Sequence, residues 1–240
     1  MIYKLKRLYG RQMFFPGWLG IFVNPFYFAR AGLYNAMLEF SPALSGKLLD
    51  IGCGSKPYQI LFDVEAYIGL DIDSEHSRRR GFADQLYDGL TFPYPDDSFD
   101  SALCNQVLEH VFNPEKFLSE IARILRPGGK LLLTVPFVWD EHEQPYDCAR
   151  YTTFGLRALL EAQGFRIIQH KKLAADASII FQIANAYFYK ITRNLPRPVR
   201  MVFTVSVMAL INVMGVVLAN VLPNNPDLYL DHIVLAENAS

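Results

Sequence analysis

Two short apolar runs constrain the fold of this chain most. Lys47-Leu-Leu-Asp-Ile-Gly closes in the turn Asp50-Ile-Gly52-Cys53-Gly54-Ser55, and Ala66-Tyr-Ile-Gly-Leu-Asp closes on an acid, Asp71. Runs of this length without polar alternation have the pattern of parallel strands buried on both faces. Phe99-Asp-Ser-Ala-Leu-Cys and Lys130-Leu-Leu-Leu-Thr-Val are further strands, Phe165 to Leu173 is another after Gly164, and Leu228 to Glu237 alternates well enough for a terminal strand. Helices are expected between them. Asn113-Pro114 caps and opens one that runs to Leu125 and stops at Pro127-Gly128-Gly129, and Thr153 to Gln163 forms another that Gly164 closes. The strand–helix alternation predicts an α/β doubly wound sheet.

At 240 residues the chain has room for one such domain with additions. Hydrophobic residues make up 51% and charged residues 20%, which excludes a disordered chain. Cys53, Cys104 and Cys148 are odd in number and far apart, so neither a disulfide framework nor a structural zinc site is expected, and the chain reads as cytosolic. Charge is unevenly placed. Lys4, Lys6, Arg7, Arg11 and Arg30 occur before Glu39 with no acid, and Lys190, Arg193, Arg197 and Arg200 lie in 177–226, again with no acid. With a net charge of −1, the remainder carries −10, a poor surface for nucleic acid. Both basic stretches are rich in large apolar groups, among them Phe14, Trp18, Phe22 and the uncharged run 201–226, a combination that suits a membrane surface. A cleaved signal peptide fits the N-terminus poorly, because Pro16 and Pro25 break the apolar run and no small-residue cleavage site follows.

In open α/β sheets the ligand lies beyond the carboxyl ends of the strands, which here places the turn after Asp50 at the candidate site. Gly52 and Gly54 allow a tight turn and close backbone approach. The dinucleotide fingerprint is absent, since Lys56-Pro57 stands where it needs a third glycine, and the carboxylate of Asp50 would repel phosphate. Asp50 suits a cationic ligand, and Asp71 is placed for ribose hydroxyls.

Leu49-Asp-Ile-Gly-Cys-Gly, Gly69-Leu-Asp-Ile-Asp, Asp88 five residues before Pro93, Ser98-Phe-Asp, Val107-Leu-Glu-His-Val and Leu125-Arg-Pro-Gly-Gly-Lys-Leu together resemble class I S-adenosylmethionine-dependent methyltransferases of the type 11 group. The resemblance runs in order from Leu48 to Phe165. It implies a Rossmann-like seven-stranded sheet with an antiparallel last strand. It also implies that Asp50, Gly52 and Gly54 cradle the methionine part of S-adenosylmethionine, Asp71 binds the ribose, Asp88 contacts the adenine amino group, Asn105 and Gln106 flank the cofactor, and Cys53, Ile72 and Gly89 belong to the same cofactor site. Lys56 departs from the family, where glycine or alanine is common.

Methyl transfer to a hydroxyl needs a general base, and histidine suits it. His142 is the favoured candidate, in the loop Trp139-Asp-Glu-His-Glu-Gln-Pro-Tyr-Asp-Cys-Ala-Arg that follows the fifth strand; the alternative for this loop is a salt-bridged structure around Asp147 and Arg150 that shapes the pocket. His110 is the second candidate. Gln106-Val-Leu-Glu109-His110 is similar to the Glu-x-x-Glu-His of ubiquinone-pathway O-methyltransferases, which binds a divalent metal there, but Gln106 replaces the first carboxylate and no metal is expected.

Residues 176–226 form a hydrophobic helical insertion before the last strand of a domain spanning 41–240, and 1–40 a basic, aromatic segment. The uncharged run is long enough to cross a membrane, yet both ends of the insertion must return to one sheet, which forbids an odd number of spans. Helices lying in the interface or capping the site are expected, with burial in a homodimer as the alternative. The combined expectation is a methyltransferase on the inner face of the cell membrane, O-methylating a hydrophobic or lipid-linked acceptor. The loop Glu141-His142-Glu143 resembles methyltransferases of polysaccharide and glycan gene clusters, which points to a sugar hydroxyl. The alternatives are a quinone-type or soluble small-molecule methyltransferase and a non-catalytic scaffold.

Overall fold

The computed structural model describes residues 2–239, with side chains from residue 8 onward. The side chains of Lys4, Lys6 and Arg7, part of the N-terminal basic count, lie outside the described ones. The chain divides into two compact units: one gathers residues 2–36, 138–140 and 172–231, the other 37–137, 141–171 and 232–239.

Helices α1 (Ile2–Phe14), α2 (Gly20–Val23) and α3 (Tyr27–Phe40) precede the sheet. Then follow β1 (Lys47–Ile51), β2 (Ala66–Ile72), α4 (Glu75–Arg80), β3 (Gln85–Tyr87), β4 (Phe99–Asn105), α5 (Pro114–Ile124), β5 (Leu125–Pro136), α6 (Thr153–Ala162) and β6 (Phe165–Leu173). Helices α7 (Ser178–Thr192), α8 (Arg197–Phe203) and α9 (Ala209–Val221) lead into β7 (Asp231–Asn238). Seven strands form one sheet in the order β3-β2-β1-β4-β5-β7-β6, with β7 antiparallel. The order reverses between β1 and β4, whose registers pair Leu49 with Ala102 and Asp50 with Leu103. The carboxyl ends of these two strands therefore open the crevice where such sheets take ligands.

Local chemistry sets the helix ends. Ser74 accepts a hydrogen bond from Ser77 N–H to start α4, and Gly81 ends it in the left-handed conformation at φ 64°. Asn113 caps α5 through Lys116 N–H with Pro114 at its first position, and Thr152 caps α6 through Gly155 N–H. The structure corrects the expected end of α5. The chain turns extended at Leu125, one residue earlier, and Pro127-Gly128-Gly129 lie within β5, in the irregular stretch where the pairing with β4 shifts register. Helix α6 ends one residue before Gln163, and the last strand begins at Asp231, three residues after Leu228.

Leu49, Ile51, Phe99, Leu118, Ile121, Leu133 and Leu156 are fully buried in the core of the sheet unit. The helical unit has its own core around Phe28, Ala29, Ile179 and Leu230. Buried amides tie its segments together. Gln182 accepts from Phe28 N–H and Ala29 N–H and donates to Pro25 O, while Asn212 donates to Ile21 O and Asn24 O and accepts from Asn185 Nδ2. These bonds satisfy the backbone that the break at Asn24-Pro25 leaves without helical partners. Gly215 on α9 lets the Phe28 ring approach so closely that an added Cβ would stand 2.5 Å from it.

Candidate active site

The turn after β1 is shaped by glycine. Gly52 has φ 67°, and a Cβ there would lie 2.4 Å from Val107 Cγ2; Gly54 has φ 51° with open space above it. Gly52 and Cys53 both donate their N–H to Leu70 O, which fixes the turn to β2. Beside it a small cavity is lined by Asp50, Gly52, Cys53, Tyr58, Tyr67 and Asn105. Burial pushes the Asp50 carboxyl up to about 7, against the Tyr67 hydroxyl, which donates to Asp50 Oδ2 at 2.7 Å. Burial also pushes the Cys53 thiol up to about 12, so it stays a neutral lining group.

The other expected cofactor residues fall in two groups. Asp71 and Ile72 end β2 opposite Leu86 and Tyr87 of β3, and Ile72 reaches to within 3.3 Å of where a Gly89 Cβ would be. Asp88 binds its own turn, accepting from Leu90 N–H and Thr91 N–H. Asn105 accepts from the Thr134 hydroxyl, and Gln106, at φ 57°, donates backbone and side-chain N–H to the same Thr134 oxygen. The structure thus brings Asp50, Gly52, Cys53 and Asn105 to one cavity, and Asp71 and Ile72 to the Asp88-Gly89 turn.

Two features escaped sequence reasoning. Tyr67 lies two residues before Gly69, the register partner of Asp50, on the alternation of β2. Lys56 adopts φ 51°, a backbone conformation that favours glycine, and its ammonium pairs with Asp84, whose Oδ2 also accepts from Gly69 N–H. Gly69 leaves room for the Lys56 stem, because a Cβ there would meet Lys56 Cε at 2.3 Å.

The sequence profile of a family described as "Methyltransferase domain" matches residues 49–133, from β1 into β5. The chain carries a class I S-adenosylmethionine-dependent methyltransferase domain. A demethylmenaquinone methyltransferase of Symbiobacterium thermophilum is 30% identical over 138 residues, covering 51% of each chain. A probable S-adenosylmethionine-dependent methyltransferase of Mycolicibacterium smegmatis is 32% identical over 133 residues, 50% of this chain and 52% of that one. The chain spans about half the length of these curated relatives. An S-adenosylmethionine-dependent methyltransferase from Mesorhizobium loti shares the fold with a TM-score of 0.56 and 16% identity, over 88% of this chain and 99% of that one. The methyltransferase domain fits its cofactor in this structure: a turn that Cβ atoms would fill, and a buried carboxylate suited to the cationic amino-acid end of the ligand.

Two histidines stand together beyond β4 and β5. His110 closes the short turn Leu108–His110, and His142 lies in the loop between β5 and α6, their rings edge to face at 4.8 Å. His110 Nδ1 lies 3.1 Å from Tyr146 O, so this nitrogen carries a proton, and Nε2 faces the buried Glu109 carboxylate at 3.8 Å. Burial lowers the His110 pKa. Cys148 and Ala149 donate their N–H to Glu109 O, anchoring the loop to this turn. One donor atom from each of Glu109, His110 and His142 lies within 4.8 Å of the others, a set of the kind that can hold a metal ion. His142, not Gln106, completes it.

Proposed function

We propose that the protein transfers the methyl group of S-adenosylmethionine to a hydroxyl of a hydrophobic, lipid-linked acceptor, glycan-bearing in the favoured reading, at the inner face of the cell membrane. Asp50, Gly52, Cys53, Gly54, Asp71, Ile72, Asp88, Gly89, Asn105 and Gln106 hold the cofactor. Bound there, S-adenosylmethionine would supply an activated methyl group carried on a sulfonium. His142 takes the hydroxyl proton, with His110 packed against its ring.

The observation that carries the acceptor class is an exposed apolar helix. A π-helical turn at Thr204–Met208 joins α8 to α9 in one helix, Arg197–Val221, of 25 residues, whose most apolar window has a mean hydropathy of 2.3 and is only 22% buried. Met201, Val202, Leu210, Val217 and Val221 are each more than half exposed. A continuous surface of this kind marks an interaction site, and the flanking basic residues favour anionic lipid. Spanning is disfavoured: β6 and β7 belong to one sheet, and the return path, α7, has 15 residues where about 20 are needed to cross. An interfacial placement remains, with the methyltransferase domain on one side of the bilayer.

A quinone-type acceptor is the second reading, favoured by the likeness to the demethylmenaquinone methyltransferase. The test is methyl-tritiated S-adenosylmethionine incubated with the protein and anionic vesicles carrying a polyprenyl-linked sugar, a demethylated quinone or neither. Label extracted into organic solvent from the first vesicles is expected. Label in quinone vesicles alone would install the second reading, and label only in water-soluble acceptors would overturn both.

A further inference from the structure

We propose that Asp147 is a positioning residue that fixes the tautomer and ring orientation of His142, with Arg150 holding the carboxylate in place. The inference rests on the assignment of His142 as base and deepens it. The loop between β5 and α6 has no helix or strand along 139–151, so its order has to come from its own side chains and its anchors. Asp147 is at its centre. Oδ2 accepts from His142 backbone N–H at 3.0 Å and lies 3.3 Å from His142 Nδ1, so a single oxygen holds both ends of the same residue. Arg150 grips the carboxylate with two nitrogens, Nη1 to Oδ1 at 2.5 Å and Nη2 to Oδ2 at 2.7 Å. This fork-to-fork geometry sets the plane of the carboxylate as well as its distance.

Exposure is lowest at the carboxylate in the middle of this chain of groups. The Asp147 side chain is 5% exposed, Arg150 24% and His142 31%, so the carboxylate is withheld from water while the imidazole reaches toward it. A carboxylate facing Nδ1 places the proton there and leaves Nε2 as the lone-pair nitrogen. His110 has a different environment. Its Nδ1 is set by the carbonyl of Tyr146, a neutral partner, and its Nε2 faces Glu109. The pair is therefore asymmetric, and the arrangement selects His142 over His110 as the base.

Nitrogen-15 spectra of the full-length protein labelled at histidine test this directly, with the His142 signals assigned by their loss in His142→Ala. The expected wild-type spectrum has the proton on Nδ1 and an unprotonated Nε2. In Asp147→Asn the two tautomers mix, while S-adenosylhomocysteine affinity stays at the wild-type value. Turnover onto the vesicle acceptor then falls about 10²-fold or more in kcat, with KM unchanged. A wild-type His142 protonated on Nε2, or a tautomer unmoved by Asp147→Asn, would overturn the proposal. So would a stoichiometric shift of both the His110 and His142 signals on adding Zn²⁺, which would make the pair metal ligands. Full turnover in His142→Ala with the tautomer as expected would instead remove the base assignment and leave the positioning contact standing.

Discussion

Asp50 is buried against the Tyr67 hydroxyl, where its protonation bears on stability and, in the proposed site, on cofactor affinity. Its folded pKa, raised by burial to about 7, exceeds its ordinary value near 4, so the proton is bound more tightly in the folded protein. The stability this contributes is fully present below about pH 4 and is lost as pH rises through about 7. A cationic ligand reverses the preference, because it pairs with the ionised form. S-adenosylhomocysteine affinity should therefore fall about tenfold per pH unit below 7, and Asp50→Asn should flatten that dependence; calorimetry across pH 5.5 to 8 checks both. A sloping profile in Asp50→Asn would assign the proton elsewhere. Gly52→Ala combines a collision with Val107 and a left-handed backbone, and should cost about 2–4 kcal/mol in chemical denaturation. At this scale the sequence showed the residue types but not their junctions. Asp147 and Arg150 were legible as an ion pair three apart, yet their meeting with His142 depends on a loop without periodicity. Tyr67 was hidden because a tyrosine in a buried strand looks like core.

Among the elements, β1, β2, β4 and β5 were readable as the continuous apolar runs that central parallel strands leave, whereas β6 is an edge strand, largely exposed between Phe165 and Leu173. Strand β3, at three residues, and α4, at six, are too short for a period to register. The end of α5 was misplaced because proline and glycine stop a helix in isolation, whereas the pairing of β5 with β4 claims the chain from Leu125. Helices α1 to α3 left a basic, aromatic signature. Beside the apolar core around Phe28 and Ile179, buried amides tie α2, α3, α7 and α9 together, and hydropathy reads them only as interruptions. Asn212→Ala removes two bonds to backbone carbonyls and one to Asn185. It should destabilise the helical unit by about 2–4 kcal/mol, seen as faster proteolysis of residues 172–231 with the sheet unit intact. Equal protection of both units would mean these amides contribute little.

The whole molecule joins a methyltransferase domain to a helical unit assembled from the N-terminal segment and the insertion before β7. In the proposed function the acidic remainder serves cofactor chemistry and the basic, apolar helices attach to anionic lipid. Paired Val217→Asp and Val221→Asp substitutions on exposed positions of α9 should abolish flotation with anionic vesicles while leaving cofactor affinity unchanged. Continued flotation would place the contact elsewhere, and aggregation of the wild type into stable dimers without lipid would favour the homodimer. The central claim is that the turn after β1 binds S-adenosylmethionine, with Asp71 on its ribose. Calorimetric titration of S-adenosylhomocysteine into the detergent-purified protein and into Asp71→Ala tests it most directly. Micromolar, one-to-one binding that Asp71→Ala weakens at least tenfold is the expected result; no heat of binding to the wild-type protein would contradict the account and leave a scaffold with this fold.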